Sequence, residues 1–136
     1  MSDRPFLDTN ILIYAIGADP VRTPQAEALL RAGGVISVQV LNELAAVASR
    51  RLRMSWPEIS EALTAVRALC PPPVAITVET HERALGLVAD HGFHFYDALI
   101  IASALAADCG ELYSEDMQDG RVVGDTLTIR NPFLRT

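Results

Sequence analysis

The chain has 136 residues, half of them hydrophobic, with 17 acidic against 11 basic side chains and a net charge of −6. This length can bury a core without staples, so we expect residues 1–136 to form a single domain. The composition excludes a disordered chain and a disulfide framework: the two cysteines, Cys70 and Cys109, are too few and lack metal-ligand spacing, which indicates inert thiols. The acidic balance alone argues against a nucleic-acid partner, unless several acids gather and hold cations.

The beginning of the sequence lacks the apolar stretch of a signal peptide, because Asp3 and Arg4 lead directly into Phe6-Leu7-Asp8. The longest nearly apolar run, residues 98–107, is interrupted by Ser103 and is too short to span a bilayer. We therefore expect a cytoplasmic protein without a membrane segment, and we interpret that run as a buried helix.

Short apolar runs alternate with helical patterns, which predicts an α/β fold with a short parallel sheet of four to five strands flanked by helices. The predicted strands lie near 5–7, 35–37, 74–76, 111–113 and 126–129. The predicted helices cover about 24–32, 38–51, 56–69, 78–91 and 96–109. A capping box at Ser55 to Glu58 and a cap at Thr77 mark two helix starts. The last strand alternates polar and apolar residues, which is typical of a half-exposed edge strand.

Four acidic residues fall where ligands collect in such folds, beyond the carboxyl ends of the strands. Asp8 ends the first strand, Asp116 follows the fourth, and Asp97 opens a helix on the same side. Glu43 lies two turns into the helix that leaves the second strand, from where it can point back over this edge. Converging carboxylates repel one another unless cations lie between them, and ligand sets made only of oxygen favour Mg²⁺ or Mn²⁺. Such ions promote phosphodiester hydrolysis.

Each acid also has a purely structural explanation. Asp8 could cap the turn that follows it, and Asp97 suits the first turn of its helix. Glu43 could belong to a solvated helix face. Asp116 shares its loop with Asp119, which we keep as a secondary ligand or a supporting residue.

The remaining polar and aromatic residues carry weaker signals. Arg50, Arg51 and Arg53 form the only basic cluster in the sequence. Two interpretations stay open for it, a solvated helix end or a contact for RNA or for a partner protein. The three histidines are assigned surface or packing roles, and Trp56 is interpreted as a packing residue at a helix start.

Four segments, taken in order, resemble the motifs of PIN domains. They are 8–14 (DTNILIY), 37–44 (SVQVLNEL), 95–100 (FYDALI) and 114–120 (SEDMQDG). Their order and spacing, together with the chain length, resemble the VapC-type toxins of type II toxin–antitoxin systems over nearly the whole chain. The resemblance implies a PIN-like three-layer fold and an endoribonuclease that uses Mg²⁺ or Mn²⁺. It also implies a homodimer inhibited by a cognate antitoxin protein.

Carried over by position, the resemblance also implies roles for individual residues. The implied catalytic and metal-binding residues are Asp8, Glu43, Asp97 and Asp116, with Asp119 as a further metal ligand. Asp8 and Asp97 are the foremost direct ligands. The small polar residues expected to orient carboxylates, water or substrate are Thr9, Asn10, Ser37 and Ser114.

Other protein classes also gather acids at such an edge. A receiver-like phosphoacceptor domain uses a lysine after a late strand, and the chain has no lysine. A haloacid-dehalogenase-type phosphatase requires a second aspartate at the position of Asn10. A PIN-like binding module without catalytic activity stays open, and RNA cleavage with and without a chelator separates it from the nuclease.

Apolar residues near one helix connection favour a dimer. Leu52, Met54 and Ile59 lie close together in the sequence, in a chain whose apolar content is high for its length. An apolar surface that one core cannot cover is most often buried in a two-fold homodimer.

Overall fold

The computed structural model describes residues 3–134, which form a mixed α/β fold. The strands are β1 (Phe6–Leu7), β2 (Glu111–Tyr113), β3 (Val122–Val123) and β4 (Leu127–Arg130). The helices are α1 (Thr9–Ile16), α2 (Arg22–Arg31), α3 (Val38–Arg50), α4 (Trp56–Leu69), α5 (Val78–His91) and α6 (Phe95–Ala106), followed by a 3₁₀ turn at Pro132–Leu134. The strand order is β1-β2-β4-β3, so the first strand lies beside a strand from the far end of the chain. The α/β fold class predicted from the sequence is confirmed.

The sheet is only partly parallel, which corrects one prediction. β1 pairs with β2 and β2 with β4 in parallel, whereas β3 pairs with β4 in antiparallel orientation. β4 therefore lies inside the sheet, and the expectation of an edge strand near 126–129 was wrong. Its alternation has another cause, because Leu127 and Ile129 face the core while Thr128 is half-buried. β3 has only two residues, too few to produce a periodic signal.

Two predicted strands are reduced to single parallel bridges. Val35 pairs with Phe6, and Ser37 pairs with Val74, so these segments extend the sheet beyond β1. The ladder stays short because Ser37 already caps α3. The close approach of this segment to β1 also requires a glycine at position 34, where a Cβ atom would lie 2.5 Å from Leu7 Cγ.

The helices follow the sequence patterns with two exceptions. α1 was not predicted as a helix, because it starts directly after β1 and its eight residues include the β-branched apolar run typical of a strand. α6 ends at Ala106 rather than at residue 109, since Asp108 adopts a left-handed backbone with φ of 56°. The capping box of α4 and the Thr77 cap of α5 are both confirmed.

The core forms around α6, whose residues 98–104 are all buried. Buried residues of α1, α3 and the strands pack with α6 in one hydrophobic core. Cys109 is buried and Cys70 half-buried, both as free thiols with their pKa raised by burial, in agreement with inert roles. Ile59 is buried within the chain, which corrects its assignment to an exposed apolar patch. Within residues 3–134, no helix is long and apolar enough to cross a membrane.

Candidate active site

The ends of β1 and β2 bring the first and the last motif together. Leu7 pairs with Tyr113 in parallel register, so the next residues, Asp8 and Ser114, leave the sheet side by side. Ser114 Oγ donates a hydrogen bond of 2.7 Å to Asp8 Oδ2. Both side chains are buried, and Ser114 is completely inaccessible. The carboxyl edge predicted from the strand order is therefore a real meeting point of these motifs.

Asp8 combines a structural and an electrostatic function. It is the N-cap of α1, and its Oδ1 accepts a 2.7 Å hydrogen bond from the Thr9 backbone N–H. Burial raises its pKa from 3.8 to about 7, against the hydrogen bonds from Ser114 and Thr9 that lower it, and the charges of Asp97 and Glu43 raise it further. The cap explanation and the site explanation for Asp8 are thus compatible. Near neutral pH this carboxyl is divided between its protonated and ionised forms.

Glu43, which belongs to α3, is held at the site by a hydrogen bond from α1. Thr9 Oγ1 donates a hydrogen bond of 2.6 Å to Glu43 Oε1, which links the start of α1 to the middle of α3. We expected Ser37 to orient a carboxylate, water or substrate, but its hydroxyl has another partner. Its Oγ accepts a 3.2 Å hydrogen bond from the Val40 backbone N–H and caps α3. Ser37 therefore acts on the position of Glu43 through the helix that carries it.

Asn10 bridges two of the acids. Its Nδ2 lies 3.3 Å from Asp8 Oδ2 and 3.1 Å from Asp116 Oδ2, and also 3.4 Å from Ser114 Oγ. Its Oδ1 accepts a 3.1 Å hydrogen bond from the Glu115 backbone N–H. One amide side chain thus holds the loop after β2 against the start of α1 and separates two carboxylates that would otherwise repel each other.

Asp97 lies in the first turn of α6, where the helix dipole favours a negative charge. Its pKa is nevertheless raised, first by burial and then by the charge of Asp116. Glu43 adds to this increase, whereas His94 opposes it. These electrostatic interactions show that the four acids from four separate motifs act on one another.

All four acids line one open cavity of about 730 Å³. Thr9 and Asn10 line it as well. Asp119 lies elsewhere, because its Oδ1 accepts a 2.8 Å hydrogen bond from the Asn131 backbone N–H and its side chain lines a separate cavity. The structure therefore groups Asp116, and not Asp119, with the other acids.

A second network supports the loop that carries Asp116, and the sequence analysis missed it. Glu115 Oε1 accepts a 2.6 Å hydrogen bond from Tyr14 Oη, and Glu115 Oε2 accepts one of 2.7 Å from Arg22 Nε. The Arg22 guanidinium also lies 5.5 Å from the Tyr14 ring centre and 5.7 Å from that of Phe133. Tyr14 and Glu115 both fall within recognised motifs, but no periodicity connects residues so distant in the sequence.

The donor set suits a divalent cation in its chemistry. The acids and the small polar residues beside them offer oxygen atoms. The pKa values of Asp8 and Asp97 are raised first by burial and further by neighbouring carboxylate charges, and a cation would offset the second contribution. In the described part of the chain, no three acidic, histidine or cysteine side chains already stand close enough to hold an ion.

Solved structures with the same fold include several from toxin–antitoxin systems. A toxin–antitoxin complex from Klebsiella pneumoniae is 20% identical, with a TM-score of 0.72, covering 95% of this chain and 98% of its own. VapC20 of Mycobacterium tuberculosis, a toxin that cleaves the sarcin–ricin loop, is 21% identical, with a TM-score of 0.64 over 82% of this chain and 90% of its own. VapBC2 of Rickettsia felis, bound to a promoter DNA fragment, is 20% identical, with a TM-score of 0.66 over 93% and 98%.

At such low identity these likenesses establish the fold alone. No curated protein sequence matches the chain. The family model described as the PIN domain matches residues 6–119, a span that starts with β1 and ends within the loop that carries Asp116. It thus includes all four acids of the cavity. By this match, the chain belongs to the PIN-domain family.

Proposed function

We propose that this chain is a metal-dependent endoribonuclease that acts as the toxin of a toxin–antitoxin pair. The observation that carries the proposal is the meeting of Asp8, Glu43, Asp97 and Asp116 in one open cavity of a PIN domain. The fold shared with VapC20, described as a toxin that cleaves the sarcin–ricin loop, supports RNA as the substrate. The fold shared with two toxin–antitoxin assemblies supports an antitoxin as the partner.

The side chains divide into those that hold the reacting groups and those that position them. Asp8 and Asp97 are proposed as the direct ligands of Mg²⁺ or Mn²⁺, with Glu43 and Asp116 completing the negative cavity. When bound, such an ion supplies the positive charge that offsets the carboxylates and polarises the scissile phosphodiester.

The neighbouring polar residues set the orientation of these acids. Thr9 holds one oxygen of Glu43, so the second oxygen stays free to accept a proton or a hydrogen bond from water. Ser114 and Asn10 fix the Asp8 carboxylate, and Asn10 also fixes Asp116. Because these donors are in place before substrate arrives, little reorganisation is needed at the reacting phosphate.

The test is RNA cleavage by purified variants. Asp8→Asn and Asp97→Asn should each abolish cleavage of total bacterial RNA in Mg²⁺ or Mn²⁺ while the circular dichroism spectrum stays unchanged. Asp119→Asn is the matched control, because Asp119 is in the same loop as Asp116 but outside the cavity, and it should keep full activity. Wild-type cleavage that persists in EDTA, or full activity of the Asp97 variant, contradicts the proposal. Folded wild type that binds RNA but never cleaves it would instead be a binding module.

The proposed partners follow from charge and from exposed apolar groups. The negative cavity attracts a guanidinium, so we expect an antitoxin arginine among the carboxylates. A homodimer would cover Leu52 and Trp56, which are 37% and 62% exposed on the chain. The exposure of Trp56 corrects its interpretation as a packing residue of a helix start. RNA as substrate supports a cytoplasmic location.

A further inference from the structure

The catalytic cavity extends well beyond the four acids, along one face of α3. Gln39, Glu43, Ala46 and Arg50 follow one another at helical spacing, and all of them line the cavity. Glu43 and Arg50 are seven residues apart, which places their backbones two helical turns and roughly 10 Å apart along the axis. The small Ala46 lies between them and leaves room for a bound chain.

This cavity carries charges of both signs. Glu43 lies with the other acids, and Arg50 and Arg51 from the basic cluster line the same cavity about two helical turns further along α3. Among the described residues, neither arginine forms an ion pair, and Arg50 Nε contacts only the carbonyl oxygen of Ala46 in its own helix, at 3.4 Å. The acids repel the phosphates of an RNA backbone, so the backbone would bind at the arginines.

A helix-end role does not account for this arrangement by itself. Cations near a helix C-terminus are favoured by the dipole, and Arg50 lies in the last turn of α3. Arg67 has the same position in the last turn of α4 but does not line the cavity. The dipole thus explains a positive charge at the C-terminal ends of both α3 and α4. It does not explain why two such charges at the end of α3 share a cavity with the acids.

Tyr96 adds an aromatic surface to the same cavity. It precedes Asp97 at the start of α6, lines the cavity and is 60% exposed. Its ring packs edge-on against Phe95, with ring centres 5.6 Å apart. Exposed aromatic rings beside a cationic groove are the groups on which proteins stack unpaired bases.

We propose that Arg50 and Arg51 bind a second phosphate of a single-stranded RNA and that Tyr96 stacks one of its bases. This inference rests on the proposed function, because it takes the acids as the place of the scissile phosphate. The backbones of Glu43 and Arg50 lie roughly 10 Å apart along α3, so the arginines are placed for a phosphate other than the scissile one. A cation pair combined with an exposed ring suits the repeating phosphate and base of RNA better than an acidic peptide.

The experiment measures KM and kcat for cleavage of a fluorescein-labelled single-stranded RNA of about 12 nucleotides. Arg50→Gln and Arg51→Gln should each raise KM about tenfold with kcat nearly unchanged, as expected for a lost charge-assisted contact remote from the chemistry. Each should also lower the slope of log affinity against log salt by about one. Arg67→Gln is the matched control and should behave like wild type.

A second pair of variants tests the aromatic surface. Tyr96→Ala should raise KM about tenfold, and Tyr96→Phe, which keeps the ring, should recover most of this loss. Thermal melts of each variant show whether it remains folded.

Binding and catalysis are separated in the Asp97→Asn background, where fluorescence anisotropy reports RNA affinity without cleavage. If wild type cleaves no RNA, the proposed function fails, while the affinities of the arginine variants still test the subsite. Unchanged RNA affinity in both Arg50→Gln and Arg51→Gln, or an equal loss in Arg67→Gln, overturns the inference. Arginine variants that bind RNA normally but lose affinity for a polyglutamate peptide would identify a protein contact instead and would also overturn it.

Discussion

Replacing Asp8 by asparagine should change how the stability of the protein depends on pH. In the folded chain the Asp8 pKa is about 7, because burial disfavours the carboxylate, against an ordinary value of 3.8. Between these two values the native state binds more protons than the unfolded chain, so the free energy of unfolding falls as the pH rises. Below about pH 4 this stabilisation is fully present, and it is lost as the pH rises through 7.

The magnitude follows from the two pKa values. Raising the pH from about 5.5 to about 8 should remove roughly 2 kcal/mol of unfolding free energy from wild type. For a chain of this length that corresponds to a fall in Tm of roughly 8 °C. The asparagine side chain cannot ionise, so the variant should lose much less over the same window. A smaller slope remains in the variant because the pKa of Asp97 is raised in the same direction.

The assay is urea unfolding followed by circular dichroism, at several pH values and in the presence of EDTA. Groups common to wild type and variant cancel when the two slopes are subtracted. Asp19 and Glu58, whose pKa values are lowered by backbone hydrogen bonds, act below this window. Asp119→Asn should keep the wild-type slope, since Asp119 lies outside the cavity. Equal slopes for wild type and Asp8→Asn would refute a raised Asp8 pKa as the cause.

Three further predictions concern metal, loop and dimer. Mg²⁺ or Mn²⁺ should raise the Tm of wild type at pH 8 by binding only the folded form, and Asp97→Asn should raise the metal-free Tm and reduce this response to metal. Identical melts with and without metal would contradict a shared ion site. Glu115→Gln weakens the contacts to Tyr14 and Arg22, so cleavage should slow about tenfold and half-maximal activity should need more metal. The free energy of unfolding should fall by about 1 kcal/mol at most, and an unchanged metal titration would exclude a positioning role. Wild type should sediment as a dimer at micromolar concentration and Trp56→Glu as a monomer, and a monomeric wild type would rule the dimer out.

The sequence predicts the acidic edge well because strand ends and helix starts are local signals. Asp8, Asp97 and Asp116 each follow or open an element whose position the apolar pattern marks, and parallel strands then bring them to the same edge. Helix caps such as Thr77 are equally local, and they appear where the sequence places them.

Features that depend on distant partners were harder to predict. The two-residue strand β3 is stabilised by its pairing with β4 and has no pattern of its own. The difference between Asp116 and Asp119 arises from how the loop folds, since Asp119 turns to the Asn131 backbone while Asp116 meets Asn10. The hydrogen bond from Tyr14 to Glu115 spans 101 residues and leaves no trace in local sequence.

The hydrogen bond between Ser114 and Asp8 joins residues 106 positions apart, and it has a consequence for the synthesis of the protein. On the ribosome Asp8 is made about 100 residues before its partner strand, so β1 has no β2 beside it until the chain extends past residue 113. Until then Asp8 lacks Ser114, and Asn10 has no Asp116 to hold. A chain that stops before β2 therefore carries only part of the acidic centre, so the four acids can meet only after residues 111–116 have been made.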